Sequence, residues 1–466
     1  NWGGNDMKKI LFTAVSLLCA LTSCEAETYD TFVFPEQESS VIEPVDNRFT
    51  NNDYSNIPPV SEETIEVFTS EDGICTIQKK NDYYDVSLDL RSGDHFGAGR
   101  AYAETLLKAD HDFEKKAEQI ISDTMIASMV LVKKSKRNDV LLELADKMRS
   151  SLYRDYGDEV EGFASVFSKT EGISLDDGVL SSDEAVIFQL YYDIFLDYNG
   201  SAVSIGGNRS ETGSQISAVT AVSFCRKSDL LLSDHCVLRL IGDDRTINSV
   251  SFLGMLGVKT AVTDKGVLAS IINADREVKF DHPCGIPRSF VIREALEKCD
   301  TAEKTGEYLV KEVYDPDYLF SVFLSDRDNV FSAELNSEKG KSVLRDKDTD
   351  LFGALPYDCP DCFFNVISFV SDGQTDRITL DKNTLNIRYL TWRKYNDIFS
   401  GSDPLNITSV KNILTSETID SHTNIIRDNK MQFMLIVDHA SGTFQADLVR
   451  EEGVKNMPDF IDLGSF

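Results

Sequence analysis

The hydrophobic positions change their period along the chain, and the changes divide it into segments. Two short stretches in which apolar and polar residues alternate, Ile74 to Lys79 and Tyr83 to Leu90, predict a pair of strands. From Ala98 to about Gly172 the apolar residues recur at helical spacing, and Leu180 to Tyr198 predicts a further apolar helix. Residues 199 to 214 are rich in Gly, Ser and Asn, which predicts an internal loop.

The second half of the chain is dominated by strand-like segments. Its alternating apolar runs are Ile216 to Phe224, Cys236 to Ile241, Val258 to Thr263, Val267 to Asn273, Leu319 to Ser325 and Val330 to Leu335. A helix is predicted from Ser289 to about Cys299, and Gln432 to Val437 with Thr443 to Leu448 predicts a hairpin. A helical first third followed by hairpins and inserted helices predicts an α+β fold, with two sheets sandwiched between layers of helices.

The N-terminal region has the pattern of an export signal. The basic residues of Met7 to Lys9 precede an apolar run from Ile10 to Leu21, which is shorter than the roughly 20 residues that span a bilayer. The run ends in Leu21-Thr22-Ser23-Cys24, which resembles the lipobox of bacterial lipoproteins, whose cysteine is lipidated and becomes the new N-terminus. Residues 1 to 24 are therefore interpreted as a signal peptide, with residues 1 to 6 arising from translation upstream of a start at Met7.

This pattern predicts a lipid-anchored protein of the bacterial cell envelope, on the periplasmic or cell-surface side. An ordinary cleaved signal peptide with an incidental cysteine at position 24 is the alternative. Residues 25 to 65 are acidic, contain prolines and show neither period, so they predict a flexible tether. The formal net charge of −31 excludes binding of nucleic acid or of an anionic membrane surface through basic residues, which leaves the lipid as the expected membrane contact.

The cysteines and histidines predict neither a metal site nor a cofactor. Apart from Cys19 in the signal and Cys24, seven of the nine cysteines remain, and an odd number leaves at least one thiol free. Cys359-Pro360-Asp361-Cys362 is a single CxxC motif, whereas a structural zinc site needs a second pair of ligands. A local disulfide or two unrelated thiols is expected there, with a zinc site completed by His282 and Cys284 as the lesser alternative.

Six short motifs follow one another in a defined order. Gly93 to Gly99 comes first, and Asp158 to Ala164 with Glu171 to Ser174 comes second. The others are Phe252 to Gly257 with Asp264 to Val267, Ile286 to Leu296, Leu324 to Glu334, and Arg388 to His422. In this order they resemble the opening signature, the pro-segment and the later strands and helix of the acyl-CoA:6-aminopenicillanate acyltransferase family. The resemblance covers about residues 90 to 450.

The resemblance implies the four-layer αββα fold of N-terminal-nucleophile hydrolases, which the related choloylglycine (bile-salt) and penicillin V hydrolases share. In such proteins the precursor cuts itself immediately before a cysteine, whose thiol then attacks an amide or thioester carbonyl. The freed α-amino group acts as the base. An α-amino group has a pKa of about 8 and a free thiol one of about 8.5, so the amine can accept the thiol proton at neutral pH. The implied activity is that of a hydrolase or acyltransferase on a linear amide bond of a small N-acyl substrate.

Cys225 is the predicted nucleophile. In the family a cysteine opens a strand, a hairpin returns, and an aspartate follows eighteen or nineteen positions later; Asp244 lies 244 − 225 = 19 positions after Cys225. A turn at Ser233 to His235 lies midway, so the two ends of such a hairpin would face each other. Cleavage between Phe224 and Cys225 would divide the body into a helical small chain, 66–224, and a core, 225–466.

Three departures from the family pattern leave a second hypothesis open. Ala221 to Phe224 resembles the start of the family's nucleophile strand with alanine at the nucleophile position. Arg239 lies two positions before the family's arginine, and a bulge would bring it into place. Ser321 lies at the place of an oxyanion-hole asparagine, whose loss costs on the order of a hundredfold in rate. The alternative is therefore a catalytically inactive relative that is retained as a cell-surface binding protein.

Overall fold

The computed structural model describes residues 60–130, 132–170, 172–175, 177–195, 200–222, 234–273, 285–312, 319–336, 342–351, 355, 357–374, 387–415, 431–450 and 459–466. They all belong to one compact unit, Asn52–Phe466. Cys24, Phe224, Cys225, His282 and Cys284 lie outside the described residues. Among the helices of the described part, none has the length and apolarity needed to cross a membrane.

The described residues form sixteen strands and ten α-helices. The strands are β1 Thr64–Thr69, β2 Cys75–Lys80, β3 Tyr84–Asp89, β4 Ser201–Ile205, β5 Ile216–Val222, β6 His235–Ile241, β7 Thr246–Phe252, β8 Thr260–Thr263, β9 Leu268–Asn273, β10 Leu319–Ser325, β11 Val330–Asn336, β12 Val343–Arg345, β13 Cys362–Val366, β14 Met431–Asp438, β15 Thr443–Leu448 and β16 Phe460–Ser465. The helices are α1 His95–Ala109, α2 Phe113–Ser128, α3 Arg137–Ser151, α4 Arg154–Ala164, α5 Ser182–Gln189, α6 Tyr191–Phe195, α7 Arg288–Lys298, α8 Ala302–Glu312, α9 Ile387–Phe399 and α10 Ile407–Thr415.

The strands build two sheets. The larger sheet has ten strands in the order β1-β2-β3-β6-β7-β8-β9-β10-β11-β12, and the smaller has six in the order β13-β4-β5-β14-β15-β16. Strands β3 and β6 pair in parallel, whereas the other neighbours pair antiparallel, as β6 with β7 and β5 with β14 do. The predicted pair at the N-terminal end of the body, β2 with β3, and the predicted hairpin of β14 with β15 are both confirmed.

Three apolar cores separate four layers. The first joins the larger sheet to helices α1–α8 and includes Phe113, Phe163 and Leu238. The second lies between the sheets, where Phe323 of the larger sheet and Val219 of the smaller one are both buried. The third joins the smaller sheet to α9 and α10 and includes Phe364, Met434, Trp392 and Val410. The order helices, sheet, sheet, helices confirms the α+β class and the four-layer αββα sandwich predicted from the sequence.

The alternation of strand residues explains the division between these layers. Along β10, Phe320, Val322 and Leu324 belong to the core under the helices, and Phe323 belongs to the core between the sheets. Because side chains alternate along a strand, Ser321 also points between the sheets. Polar residues therefore line part of the interface between the sheets.

Two predictions about local structure are wrong. The predicted loop 199–214 contains β4, whose five residues are all buried in a central position of the smaller sheet; small side chains suit a strand that is covered on both faces. The predicted helix 180–198 is two helices, α5 and α6. The first arm of the hairpin predicted between residues 225 and 244 lies outside the described residues; its second arm, β6, pairs with β3 and β7 in the larger sheet, whereas β5 lies in the smaller one.

The predicted division at residues 224 and 225 runs through both sheets. Strands β1–β3 precede it and share the larger sheet with β6–β12. Strands β4 and β5 also precede it and share the smaller sheet with β13–β16. A small chain and a core produced by a cut in this region would therefore remain joined by sheet hydrogen bonds and by all three apolar cores.

Candidate active site

Two of the sequence-predicted residues, Arg239 and Ser321, face the space between the sheets at different places. Arg239 on β6 donates to the Asp85 carboxylate of β3, from Nε at 3.1 Å and from Nη2 at 2.9 Å, and its Nη1 donates to Asn248 Oδ1 at 3.1 Å. Ser321 on β10 is buried, and its Oγ lies 3.4 Å from Nδ2 of Asn365 on the opposing sheet. The Nη2 of Arg239 also donates to Leu463 O of β16 in the smaller sheet at 3.3 Å. Arg239 and Ser321 thus each bridge the two sheets.

Asp244 lies at one end of the sandwich, whereas the strand that leads to Cys225 ends at the other. That strand, β5, ends at Val222, opposite Met431; the next residue, Gln432, accepts a hydrogen bond from buried Lys259 at 3.4 Å. His235, which opens β6, is tied to this same end because its Nε2 lies 2.8 Å from Val449 O, and Val449 N–H donates to Gln432 O at 2.8 Å. We call it the Val222 end.

From His235, β6 runs seven residues away from the Val222 end, or about 20 Å at 3.3 Å per residue. Asp244 follows in the exposed turn between β6 and β7. The structure therefore does not bring Asp244 to the Val222 end, nor together with Ser321. Cys225 lies outside the described residues, and its role as nucleophile stays a prediction. Ala221, the alternative nucleophile position, is buried between the sheets, opposite Phe433.

The predicted spacing occurs instead in the hairpin of β4 and β5. Ser201 opens β4, the chain returns through a loop, and Thr220 on β5 lies directly opposite Ser201, at a separation of 220 − 201 = 19. Ser201 Oγ lies 2.9 Å from Thr220 Oγ1 and 2.8 Å from the hydroxyl of Tyr395 on α9. The sequence patterns do not predict this hairpin, because the Gly, Ser and Asn residues of 199–214 are typical of a loop and because Ser201 and Thr220 are not the cysteine and aspartate of the family pattern.

The hydrogen bonds of this hairpin form a chain with one consistent direction. Thr220 Oγ1 donates to Ser201 O at 3.1 Å, so it accepts the hydrogen bond from Ser201 Oγ. Ser201 Oγ in turn accepts from the hydroxyl of Tyr395, whose pKa is raised by burial to about 12. All three side chains are buried. The Ser201 oxygen is therefore held in place by a donor and an acceptor.

The chemistry of Ser201 depends on whether the chain is cut. Within the described part of the protein, neither a histidine nor a carboxylate is hydrogen-bonded to Ser201 Oγ, so the uncut chain presents a serine without a general base. Cleavage of the Gly200–Ser201 peptide bond would create an α-amino group on the same residue. Such a group titrates near neutral pH and can accept the hydroxyl proton.

Three of the sequence motifs meet elsewhere, in the helical layer. His95 Nδ1 lies 2.8 Å from Glu159 Oε1, and Arg293 of α7 holds the same carboxylate through two hydrogen bonds, with Nη2 2.8 Å from Oε1 and Nη1 2.5 Å from Oε2. A Cβ atom on Gly99 would lie 2.8 Å from the carbonyl carbon of Glu159, and one on Gly162 would lie 2.8 Å from that of Phe96. These motif residues therefore fix the close crossing of α1 over α4.

Within the described ranges, no group of three or more His, Cys, Asp or Glu side chains is arranged to hold a metal ion. The candidate chemistry of the described site thus consists of the hydroxyl groups of Ser201, Thr220 and Tyr395.

Comparison with known proteins gives likenesses of fold only. No protein-family model matches the chain, and no curated protein is significantly similar in sequence. Among solved structures, the chain is similar to a Caenorhabditis elegans ortholog of N-acylethanolamine-hydrolyzing acid amidase at 12% identity and a TM-score of 0.36, covering 57% of this chain and 100% of that one. It is also similar to a mutant of the conjugated bile acid hydrolase of Clostridium perfringens at 12% identity and a TM-score of 0.31, covering 57% and 92%. Similarity at this level carries no argument about activity.

Proposed function

We propose that the protein is a self-cleaving hydrolase or acyltransferase that acts on a linear amide bond of a small N-acyl substrate. The observation that carries this proposal is the β4–β5 hairpin within an αββα sandwich. Ser201 opens a buried strand, and a hydrogen-bonding residue lies opposite it nineteen positions later. The family that the sequence motifs resemble has a cysteine and an aspartate in this relationship.

The proposed maturation begins with Ser201. Its Oγ attacks the carbonyl carbon of Gly200, the peptide C–N bond breaks, and the hydroxyl proton passes to the nitrogen, leaving an ester. Water then hydrolyses the ester and releases two chains, of which the second begins with Ser201 and carries a free α-amino group. In the mature enzyme the same oxygen attacks the substrate carbonyl and the α-amino group takes its proton. Cys225, attacking the carbonyl of Phe224, is the sequence-based alternative.

The N-terminal sequences of the purified mature protein test this mechanism. We expect two associated chains, the heavier of which begins Ser-Ala-Val. Ser201→Ala should abolish both the cut and any amidase activity, because neither the nucleophile nor the α-amino base can form. Ser201→Cys should still cut, since a thiol is also a competent nucleophile. Cys225→Ala serves as the matched control and should cut normally; a wild-type cut before Cys225 would contradict the assignment to Ser201.

One specific observation favours a second function, that of a catalytically inactive binding protein. Thr220 lies where the family has a carboxylate, and in the uncut chain Ser201 Oγ is bonded only to neutral hydroxyl groups among the described residues. Ser321 also replaces an oxyanion-hole amide. A folded, uncut wild-type chain that lacks amidase activity and still binds N-acyl compounds would support this second function against the first.

We also propose that a lipid on Cys24 anchors the protein in the cell envelope, on the strength of the Leu-Thr-Ser-Cys sequence after a basic and apolar segment. Cys24→Ala should move nearly all of the protein from the detergent-soluble membrane fraction to the soluble fraction. Cys19→Ala, which changes a cysteine inside the same apolar segment, should leave the protein anchored. Soluble wild-type protein with an unmodified Cys24 in mass spectra would rule the anchor out.

A further inference from the structure

The CxxC motif forms a turn at the edge of the smaller sheet. The N–H of Cys362, which opens edge strand β13, donates to Cys359 O at 3.0 Å. Such a turn places the two Cα atoms within about 7 Å of each other, and disulfides join Cα atoms about 4.4–6.8 Å apart. Both thiols are free and buried, and Cys359 Sγ donates to Asn396 O of α9 at 3.4 Å. The geometry of the turn therefore suits closure of a disulfide.

A buried arginine lies beside the two thiols. Arg209, in the loop between β4 and β5, is 7% exposed and donates to the carbonyl oxygens of Asp403 and Phe399, while its Nε has no hydrogen-bond partner. Among the described residues no carboxylate forms an ion pair with Arg209. Because a buried charge without a counter-charge is costly, this site favours a negative group next to the arginine.

The thiolate of Cys359 is the group that can supply this negative charge. The hydrogen bond with Cys362 lowers the pKa of Cys359 against the opposing effect of burial, and the charge of Arg209 acts in the same direction as the hydrogen bond. The same hydrogen bond, together with burial, raises the pKa of Cys362, so Cys359 is the first of the two thiols to ionise. Two further hydrogen bonds hold the arginine loop against the turn. Gly206 N–H donates to Asp361 O at 2.9 Å, and Asn208 N–H donates to Asp361 Oδ2 at 3.2 Å. The arrangement of a paired dithiol and a fixed cation is typical of reactive cysteines.

The other described cysteines lack this arrangement. Cys75, Cys236 and Cys299 are free, and burial raises the pKa of each thiol. None of them has a second cysteine three positions away in the sequence. They therefore provide internal controls for the reactivity of Cys359 and Cys362.

We propose that Cys359 and Cys362 are a redox-active dithiol that exchanges with low-molecular-weight disulfides, with Arg209 as the counter-charge of the attacking thiolate. The Cys359 thiolate attacks one sulfur of the small disulfide, breaks its S–S bond and releases one small thiolate. Cys362 then loses its proton and attacks the Cys359 sulfur, which closes the protein disulfide and releases the second small thiolate. The two electrons lost by the protein reduce the small disulfide to two thiols. Since both side chains are 2% exposed, exchange takes place through local opening at edge strand β13.

The test uses the full mature protein in mixtures of reduced and oxidised glutathione. Samples are quenched with acid and alkylated under denaturing conditions, and the state of each cysteine is read from peptide masses. We expect Cys359 and Cys362 to become protected together, with the peptide mass lower by two hydrogens, and to return to thiols in reduced glutathione. Cys299 should stay alkylatable in the same mixtures. Cys359 and Cys362 thiols that remain alkylatable at every glutathione ratio would overturn the proposal.

Two variants test the individual roles. Cys359→Ser should leave Cys362 as a thiol or as a mixed disulfide with glutathione, never protected by an internal bond. Arg209→Gln should slow the oxidation by about tenfold or more because it removes the charge next to the thiolate. Arg209→Lys keeps the charge and should retain most of the rate, which separates this effect from simple misfolding of the loop. Equal oxidation rates in wild type and Arg209→Gln would contradict the role of the arginine.

Discussion

Gly162→Ala is expected to lower the free energy of unfolding by about 3 kcal/mol or more. Gly162 on α4 lies against the backbone of α1, so the added Cβ would lie 2.8 Å from the carbonyl carbon of Phe96 and 3.1 Å from the backbone nitrogen of Arg100. Overpacking of a core costs typically about 1–3 kcal/mol and sometimes more. The upper end applies here because a backbone cannot move aside as a side chain does, and denaturant unfolding curves measure the loss.

Gly157→Ala is the matched control on the same helix. Its Cβ would be 3.9 Å from Leu152 Cβ, which is an ordinary contact. Since alanine has the higher helix propensity, this substitution should be neutral or stabilise the protein by up to about 1 kcal/mol. Unchanged stability in both variants would show that α1 and α4 do not approach each other as closely as described.

Much of the fold could be predicted from the sequence because side-chain period is a local property. The alternating residues of β2, β3, β14 and β15 identified two antiparallel pairs, which the structure confirms. Strand β4 was not predicted because glycines and serines lie on both sides of its Ser-Ala-Val-Ser-Ile sequence, and such residues are typical of a loop. Its strand conformation depends on cover from both faces, and no local pattern reports that cover.

The candidate site was harder to predict because its contacts join distant parts of the chain. A spacing of nineteen residues predicted a hairpin that begins at Cys225, whereas the described hairpin with that spacing joins Ser201 on β4 to Thr220 on β5. Strand β5 pairs with β14, which lies much later in the sequence: Val219 pairs with Leu435, 435 − 219 = 216 positions further along the chain. Tyr395 comes within hydrogen-bond distance of Ser201 from 194 positions along the chain. It lies inside the motif Arg388 to His422, but that motif does not indicate a contact with Ser201.

The sequence motifs also show how function and packing can be confused. Gly93 to Gly99 and Asp158 to Ala164 were singled out as signatures of a family of enzymes. In the structure, Gly99 and Gly162 permit a close helix crossing, and Glu159 forms a buried ion pair. Their contribution is to hold helices α1, α4 and α7 of the helical layer together, whereas the β4–β5 hairpin lies in the smaller sheet.

Glu159→Gln is expected to destabilise the protein by about 3–5 kcal/mol, the usual result of breaking a buried ion pair. The side chains of Glu159 and Arg293 are 0% and 1% exposed. Burial opposes ionisation of Glu159, but the charge of Arg293 and the hydrogen bonds from His95 and Arg293 together outweigh it and lower the pKa of the carboxyl. The amide would leave the arginine buried with Glu297 as its remaining carboxylate, at 2.9 Å from Nε, and His95 with the more distant carboxylate of Asp155, at 3.8 Å from Nε2.

Two comparisons make this prediction specific. Glu161→Gln, on the same helix, breaks an exposed pair with Arg149 at 3.3 Å and should change the free energy of unfolding by no more than about 0.5 kcal/mol. The double variant Glu159→Gln, Arg293→Met should recover part of the loss, because it removes the charge that the single variant leaves buried. If Glu159→Gln lowered the free energy of unfolding no more than Glu161→Gln does, the ion pair of Glu159 and Arg293 would have to be hydrated. In that case the three motifs would meet for a reason other than the stability of the helical layer.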